Sequence, residues 1–402
     1  MKFRKSFRFP YWLFVAATCA PAGPLQEPAP AQREDPSAGA RAETTQPGQR
    51  RPASAPVVLG VIASQSGDPF LEKFGEQVVD GIRLAVEAHN RVSNHPVELV
   101  VLDDGGDPTR AAALVAALEA RNAVAIVGPL RPEGVAAVAS ARRDPSLLLL
   151  SPTSPELPAG SNLFSLNTVD ARGAEVMAEY ALRQGWRRVG LLYPESPEYR
   201  RQAAVFREKM AGGGGTIVAD VSYAPGTTTF AEQIRELAKA RPDAVYIPAS
   251  ERDVRQIAPQ LTYYGLAETG ARILGGEGWS GDGVLTGVAA RYLEGVVATT
   301  VLFRSSPEFG WQDFVSLYEE SYRRSLENPL PALGYDAARL ILRAIAEGHK
   351  TPREVARRFV ESDEVRGATG WLSVRGGSLG RRPVLVRIEG GMLTPISAHT
   401  GH

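Results

Sequence analysis

Cysteine and histidine are scarce in this sequence, and their scarcity excludes several kinds of site. The 402 residues include one cysteine, Cys19, so the chain has no internal disulfide and no multi-cysteine metal site. The five histidines are scattered, without the spacing of a metal-binding pair on one helix face. We therefore expect neither a metal site nor a cofactor.

The chain also lacks an excess of charge of either sign. Basic and acidic residues number 45 each, so no overall field attracts nucleic acid or an anionic surface. Apolar residues make up 44% of the chain, which is ordinary for a protein with a globular core. The length is sufficient for two or three domains.

The apolar run nearest the N-terminus is short. MKFRKSFRF carries four positive charges and no negative ones, and YWLFVAAT follows it. This pattern predicts a secretory signal peptide over residues 1–19, because the apolar core is too short for a membrane span. Cys19 follows Ala16-Ala17-Thr18, which resembles the lipobox of bacterial lipoproteins, where the cysteine receives the lipid. The alternative is ordinary signal-peptidase cleavage after Ala20, which discards Cys19.

Large apolar residues are almost absent from 20–56. This segment is rich in Pro, Ala, Gln, Gly and Arg. Such a segment cannot bury enough surface to offset the entropy lost on ordering. We therefore expect a disordered tether between the membrane and the folded part.

The stretch from Val97 to Ser154 alternates between apolar runs and helical patterns. The apolar runs are VELVVLD, AVAIV and SLLLLS, and the helical patterns are TRAAALVAALEARN and GVAAVASARRD. This order predicts a parallel sheet with both faces covered. The turns DDGGDP, GPLRPE and SPTSPE follow the strands, where ligands of such sheets usually bind.

The alternation pauses near Asn167 and resumes with the same period from WRRVGLLYP to ARILGGEGW. Two α/β halves of similar size indicate two lobes. We assign 57–168 and 297–369 to lobe 1, and 169–296 and 370–398 to lobe 2.

Motifs of catalysis are weak or missing, so we expect no enzyme. Gly276 to Gly281 matches the dinucleotide pattern G-x-G-x-x-G, but Trp279 would crowd a pyrophosphate and no acidic residue follows at a clear distance. The chain has no phosphate-binding G-x-x-x-x-G-K-[ST] loop and no G-x-S-x-G nucleophile elbow.

Polar residues follow two of the predicted strands, and each group has a structural and a ligand-binding interpretation. Asp103, Asp104 and Asp107 are explained more simply as turn and cap residues than as a cation site. The SPTSPE turn offers hydroxyl and N–H groups that can hold a carboxylate, beginning with Ser151. It can equally be a loop that only turns the chain, and both readings stay open.

The segments in order resemble a known family. ASQSGDPFLEKFG, GIRLAVEAHN, VVLDDGGDPTRAAALVAAL, AIVGPL and LLSPTSPEL are similar to the type I periplasmic binding proteins, which include the branched-chain amino acid binding proteins of ABC importers. The likeness continues through RRVGLLYPESPEYRRQ, PDAVYIPAS, ILGGEGW, LEGVVATT and GYDAARLI, and so extends from Val57 to the end. It implies an α/β fold of two Rossmann-like lobes with parallel central sheets, joined by three crossover segments, which close on a ligand about a hinge.

The resemblance also implies roles for particular residues. Phe74 stands where the family often has an aromatic in the cleft. Thr153 or Ser154 matches the hydroxyl that receives an amino acid's carboxylate and amine. Tyr199 matches an aromatic of the second lobe that closes over the ligand, and Glu277 matches the acid that pairs with its ammonium.

The chain departs from the family in three places, one of which is the SPTSPE turn, shorter here than the usual form. Arg131-Pro132-Glu133 replaces serines, and Ser250, which we keep among the candidate ligand contacts, replaces an aromatic together with Glu251. Burying a charge without a partner destabilises a complex by on the order of several kcal/mol. Losing serine donors weakens the match to an amino acid, and the added charges do not suit a small neutral pocket.

These patterns predict a lipid-anchored, extracytoplasmic solute-binding protein of the periplasm. It would take a small polar, amino acid-like ligand for an ABC permease or a receptor, with no cofactor, catalysis or nucleic acid. An alternative follows from the VGPL turn and the NLFSLN strand, which also resemble the lipoprotein activators of penicillin-binding proteins. Those proteins act by contacting a peptidoglycan synthase. An enzyme is the third hypothesis.

Overall fold

Two sheets covered by helices organise the chain in the computed structural model, which describes residues 55–167, 171–302, 304, 310–375 and 377–396. Cys19, the predicted signal peptide and nearly all of the predicted tether lie outside the described residues. In chain order the strands are β1 (Val57–Ala63), β2 (Val97–Asp103), β3 (Ala125–Val127), β4 (Leu148–Ser151), β5 (Leu163–Ser165), β6 (Arg188–Pro194), β7 (Thr216–Tyr223), β8 (Ala244–Ile247), β9 (Arg272–Gly275), β10 (Val297–Thr300), β11 (Val365–Gly367), β12 (Gly370–Arg375), β13 (Ser378–Arg381), β14 (Val384–Glu389) and β15 (Met392–Pro395).

Helices alternate with most of the parallel strands. They are α1 (Pro69–Val92), α2 (Pro108–Ala120), α3 (Pro132–Ala141), α4 (Arg172–Arg183), α5 (Pro197–Gly212), α6 (Ala231–Ala240), α7 (Glu251–Tyr263), α8 (Asp282–Leu285), α9 (Trp311–Tyr322), α10 (Leu330–Ala346) and α11 (Pro352–Val360). None of the helices in the described part of the chain has the length and apolar character needed to cross a membrane.

The two large sheets repeat one strand order. The first sheet is all parallel, in the order β2-β1-β3-β4-β5. In the second sheet β7-β6-β8-β9-β10 repeats that order, and β14 and β15 extend it as antiparallel strands at the β10 side. The prediction of an α/β fold with two lobes and parallel central sheets is confirmed.

The strand pairing places the second crossing between the lobes later in the chain than predicted. The predicted boundary places 297 in lobe 1, but β10 pairs with β9 and with β14 of the second sheet. The chain therefore leaves lobe 2 after Thr300, and α9 then packs on α1 through Trp311, Phe314 and Leu84. A short buried strand such as VATT can pair in either sheet, so its sequence does not identify its partner strand.

The third crossing also differs from the predicted boundary at 370. Strands β11, β12 and β13 form a small antiparallel sheet, and Leu372 and Leu379 from it are buried in the core of lobe 1. The chain reaches the second sheet only at β14, so the crossing lies between Arg381 and Val384.

A buried carboxylate ties together segments that flank the crossings. Asp336 of α10 accepts hydrogen bonds from the backbone N–H groups of Ala368 and Thr369 and from the Thr369 hydroxyl, each at 2.7 Å. Arg381, which precedes the third crossing, donates to the Thr369 hydroxyl. It also donates to the carbonyl of Leu166, which precedes the first crossing. Burial raises the pKa of Asp336, although these hydrogen bonds act in the opposite direction.

Two glycines allow the closest contact between helices in lobe 1. Helices α1 and α10 cross where a Cβ on Gly81 would collide with the backbone carbonyl of Pro331, and a Cβ on Gly334 with the carbonyl of Val78. A backbone carbonyl cannot rotate away as a side chain can, so the helix axes would have to separate. The helix pair therefore depends on the missing side chains.

Replacing Gly81 by alanine should destabilise the protein by about 1–3 kcal/mol, as overpacked core positions do. Gly212→Ala is the matched control, because that helical glycine has no neighbour near its Cβ position and alanine favours a helix by about 0.5–1 kcal/mol. Urea denaturation of both variants provides the measurement. Equal stability of G81A and the wild type would show that the helix contact is not tight.

Candidate functional site

All seven predicted ligand-contacting residues lie in or beside loops at the carboxyl ends of parallel strands. They form one group on each lobe, four residues on lobe 1 and three on lobe 2. The residues are Phe74 after β1, Ser151, Thr153 and Ser154 at the end of β4, Tyr199 after β6, Ser250 after β8 and Glu277 after β9. Ligands of open α/β sheets bind at these ends, so the arrangement defines a candidate binding site.

The hydroxyl groups of lobe 1 donate their hydrogens within the protein. Ser151 donates to the Pro129 carbonyl at 2.6 Å, and Thr153 donates to the Leu130 carbonyl at 2.7 Å. Ser154 donates to the Glu156 carbonyl at 2.6 Å. Each hydroxyl has one hydrogen, so in this geometry it cannot donate to a ligand's carboxylate. Ser151 and Ser154 are also fully buried, and Thr153 is 8% exposed. A direct contact of these residues with a ligand stays a prediction.

The turn after Gly128 presents the Pro129 and Leu130 carbonyls, which receive the hydrogens of Ser151 and Thr153. Gly128 has φ +94°, and a Cβ there would collide with the Ile62 carbonyl of β1. Only glycine adopts this conformation at this contact without cost. The turn that follows it directs the Pro129 and Leu130 carbonyls toward the end of β4.

The aspartates after β2 are turn and cap residues. Asp103 accepts from the backbone N–H of Gln65 at 2.7 Å and from the Ser66 hydroxyl at 2.6 Å. Burial would raise the pKa of Asp103, but these bonds, another from Gly105 and the nearby Arg110 together lower it. In the described ranges, no three His, Cys, Asp or Glu side chains form a group that could hold a metal ion.

Asp104 and Asp107 have structural partners of the same kind. Asp104 is buried and accepts from the Ser64 hydroxyl and from the backbone N–H of Gly106, both at 2.8 Å. Asp107 caps α2 through the backbone N–H of Thr109. These bonds join the ends of β1 and β2 and form one wall of the lobe 1 edge.

Lobe 2 places phenols beside carboxylates. Tyr199 lies in the first turn of α5, and burial, followed by the charges of Glu198, Asp253 and Glu277, raises its pKa to about 12. Burial first, and then the charge of Glu277, also raises the pKa of Tyr246. Both phenols therefore stay protonated at neutral pH and can donate hydrogen bonds.

Buried polar contacts hold this group in place. Tyr246 is fully buried, stacks on Phe206 at 4.4 Å between ring centroids, and donates to the Gln202 side-chain oxygen at 3.4 Å. Tyr223 donates to the Asp253 carboxylate at 3.2 Å. Their rings pack in the lobe 2 interior while their hydroxyl groups meet polar side chains.

Ser250 and Glu277 begin helical segments at neighbouring strand ends. Ser250 caps α7 by accepting from the backbone N–H of Asp253 at 3.2 Å. Glu277 begins the short 3-10 helix Glu277–Ser280, in which Trp279 is fully buried and donates to the Ile247 carbonyl at 2.8 Å. The glycine-rich motif is therefore a packed turn with an indole at its centre.

Phe74 has a structural role beside its predicted one. Its half-buried ring packs against the lobe 1 core, and the ring of Phe70, which is 73% exposed, lies 6.3 Å from it. Phe70 thus supplies the exposed aromatic surface at this edge. Sequence reasoning did not select it, because an aromatic in the first turn of a helix gives no sign of its exposure.

Sequence reasoning also missed the polar partners in lobe 2. Gln202 follows Tyr199 by three residues, so helical spacing could have indicated a shared face of α5. Tyr246 reads as an ordinary core residue of a buried strand, AVYI, and no local signal shows where its hydroxyl points. Only the packing of α5 against the second sheet brings it to Gln202.

Comparisons with known proteins give one family and many similar folds. The model of a family described as "Periplasmic binding protein" matches residues 56–377. No curated protein matches the chain. Among solved structures, a putative branched-chain amino acid ABC transporter protein from Rhodospirillum rubrum is 20% identical with a TM-score of 0.75, and the match covers 85% of this chain and 100% of that one.

Two further structures have the same fold with different bound or named ligands. The leucine binding protein LivK from Thermotoga maritima is 25% identical with a TM-score of 0.59, over 85% of this chain and 98% of that one. A solute binding protein from R. palustris in complex with benzoate is 18% identical with a TM-score of 0.55, over 85% of this chain and 96% of that one.

Substituting Ser151 by alanine should destabilise the protein by about 1–3 kcal/mol, because it leaves the Pro129 carbonyl and the backbone N–H of Ser154 without their buried partner. Ser222→Ala is the control, since its hydroxyl donates to the exposed Glu195 at 2.8 Å, and we expect a change within about 0.5 kcal/mol. Denaturant titration compares the two. A stability loss in S222A as large as that in S151A would refute this account of the β4 turn.

Proposed function

Because the chain belongs to the periplasmic binding protein family, we propose that it captures a small polar, amino acid-like ligand between its two lobes. It would deliver this ligand to an ABC permease or a receptor, from an extracytoplasmic position and without a catalytic step. The binding energy would come from lobe closure over donors and acceptors that are already in place.

The lobe 2 group is the observation that carries this proposal. Glu277 supplies a carboxylate at the end of β9, and it shares its surroundings with the phenols of Tyr199 and Tyr246. An exposed carboxylate near the protonated phenol of Tyr199 favours a ligand with an ammonium group and further polar atoms. Glu277 would pair with the ammonium, and Tyr199 would close over the ligand.

Lobe 1 would complete the site with one acceptor and an apolar surface. Thr153, which is 8% exposed, keeps a lone pair for an ammonium while it donates to the Leu130 carbonyl, and the fully buried Ser151 and Ser154 hold the edge behind it. The rings of Phe70 and Phe74 offer apolar area to a ligand's side chain.

A thermal-shift screen tests the proposal. The panel contains the common L-amino acids together with benzoate and 3,4-dihydroxybenzoate, because similar folds are described with both kinds of ligand. A true ligand at about 100 times its Kd should stabilise the protein by about 2.7 kcal/mol, which raises the melting temperature. A silent panel together with capture of a penicillin-binding protein would overturn the transport proposal in favour of the activator alternative.

Glu277→Gln should weaken binding of an aminated ligand about 30-fold or more, because the ammonium would lose its charge partner between the lobes. Glu175→Gln is the matched control, since that carboxylate is 50% exposed on α4 and pairs with Lys209 at 2.9 Å. Isothermal titration with the amino acid that gives the largest thermal shift measures both. An unchanged Kd in E277Q would remove Glu277 from the site.

Cys19→Ser should move the mature protein from the membrane fraction to the soluble fraction, because we propose that Cys19 carries the lipid anchor. Thr18→Gly, which brings the segment closer to a lipobox, should keep the protein on the membrane. Fractionation followed by immunoblotting provides the readout. Membrane association that survives C19S would contradict lipidation.

A further inference from the structure

The hydroxyl groups of the lobe 1 edge leave no donor for a ligand's carboxylate. The hydroxyl hydrogens of Ser151, Thr153 and Ser154 are all donated to backbone carbonyls. An amino acid or another organic acid enclosed between lobes brings a carboxylate that must be paired or hydrogen-bonded. Another group at the same edge has to supply that pairing.

Arg131 is in position to do so. It follows β3 directly and is the N-cap residue of α3, with no side-chain cap of its own. Its guanidinium extends from the end of β3 toward the end of β2, where Nη1 lies 3.9 Å from the Cβ position of Gly106. With Ser64 and Asp104 it lines a small cleft across the ends of β1, β2 and β3.

The guanidinium of Arg131 has its donors available. Its ion-pair partner is Glu133, at 3.5 Å, and the two side chains are 45% and 57% exposed. Within the described ranges this guanidinium makes no hydrogen bond, whereas Arg110 nearby bonds Asp103 at 3.1 Å. An exposed pair of this kind contributes little, so a ligand carboxylate can replace Glu133 at small cost.

The chemistry of the neighbouring backbone favours the same ligand group. The first turn of α3 begins at Pro132 without a side-chain cap, so its free N–H groups and the helix dipole attract an anion. Arginine presents a planar fork that holds a carboxylate with two parallel hydrogen bonds. Closure of lobe 2 would exclude water from this pair and strengthen it.

We propose that Arg131 is the specificity-determining residue of lobe 1 and selects ligands that bear a carboxylate. This inference rests on the proposed function, since it assigns the anionic end of the ligand in the same site. Arg131 would hold the carboxylate, and Glu277 would hold an ammonium where the ligand has one. Organic acids without an amine would keep the Arg131 contact and lose only the Glu277 contact.

Titration calorimetry with paired probes tests the assignment. The probes are L-leucine against L-leucinamide and benzoate against benzamide, which differ in the carboxylate alone. The wild type should prefer the acid of the pair that it binds. Arg131→Met should weaken binding of that acid about 30-fold or more and abolish the preference over the amide. Arg131→Lys keeps the charge but loses the planar fork, so its affinity for the acid should lie between those of the wild type and R131M.

Two further variants sharpen the test. Glu133→Gln removes the internal competitor and should strengthen acid binding, up to about fivefold. Arg143→Met is the matched control, because that arginine is 83% exposed on the same lobe and pairs with Glu119, away from the strand ends. Its Kd should equal that of the wild type. If R131M melts well below the wild type, the acid-over-amide preference is compared in R131K and E133Q instead.

The outcomes separate the two proposals. An unchanged acid-over-amide preference in R131M, or in R131K with E133Q where R131M is unstable, overturns the role of Arg131 and leaves the solute-binding proposal standing. If neither acid binds the wild type while L-leucinamide or benzamide does, the Arg131 assignment also fails alone. If nothing in the panel binds, both proposals fall together.

Discussion

The hydrogen bonds from the end of β4 to the turn after β3 are the constraint on which the candidate site depends. Ser151 and Thr153 donate to consecutive carbonyls, of Pro129 and Leu130, from positions that are nearly or fully buried. They bind two neighbouring strand ends into one rigid edge, and buried bonds of this kind are costly to break. The same bonds use the hydroxyl hydrogens, and this decides what kind of ligand group the edge can receive.

The two lobes therefore offer different chemistry to a ligand. Lobe 1 presents an exposed aromatic and the guanidinium of Arg131, whereas lobe 2 presents Glu277 near the protonated phenol of Tyr199. A ligand with an acid group at one end and an amine at the other would be oriented by this difference before the lobes close. Complementary charge of this sort gives specificity more than raw affinity. Asp336 and Arg381 hold in place the segments beside two of the crossings between the lobes.

Much of the fold was predictable, because its signals are local. Apolar runs that alternate with helical patterns predicted the parallel sheets, and Asp107 was correctly read as a cap and turn residue. The domain boundaries were less accessible. The sequences of β10 and of the β12–β13 hairpin do not identify a lobe, and only their pairing and packing partners assign them to one. A sequence pattern reports which face of a strand is buried, but not which sheet the strand joins.

The candidate site shows the same division. The sequence by itself determined which residues stand at strand ends, since the turns after apolar runs contain Ser151, Ser250 and Glu277. The tertiary structure alone decided which of their atoms are already bonded, because the carbonyls that receive the hydroxyls belong to a turn some 22 residues earlier in the chain. It likewise brought the hydroxyl of Tyr246 to Gln202, across 44 residues. Hydrogen bonding depends on distance and direction in space, and composition and spacing along the chain carry neither.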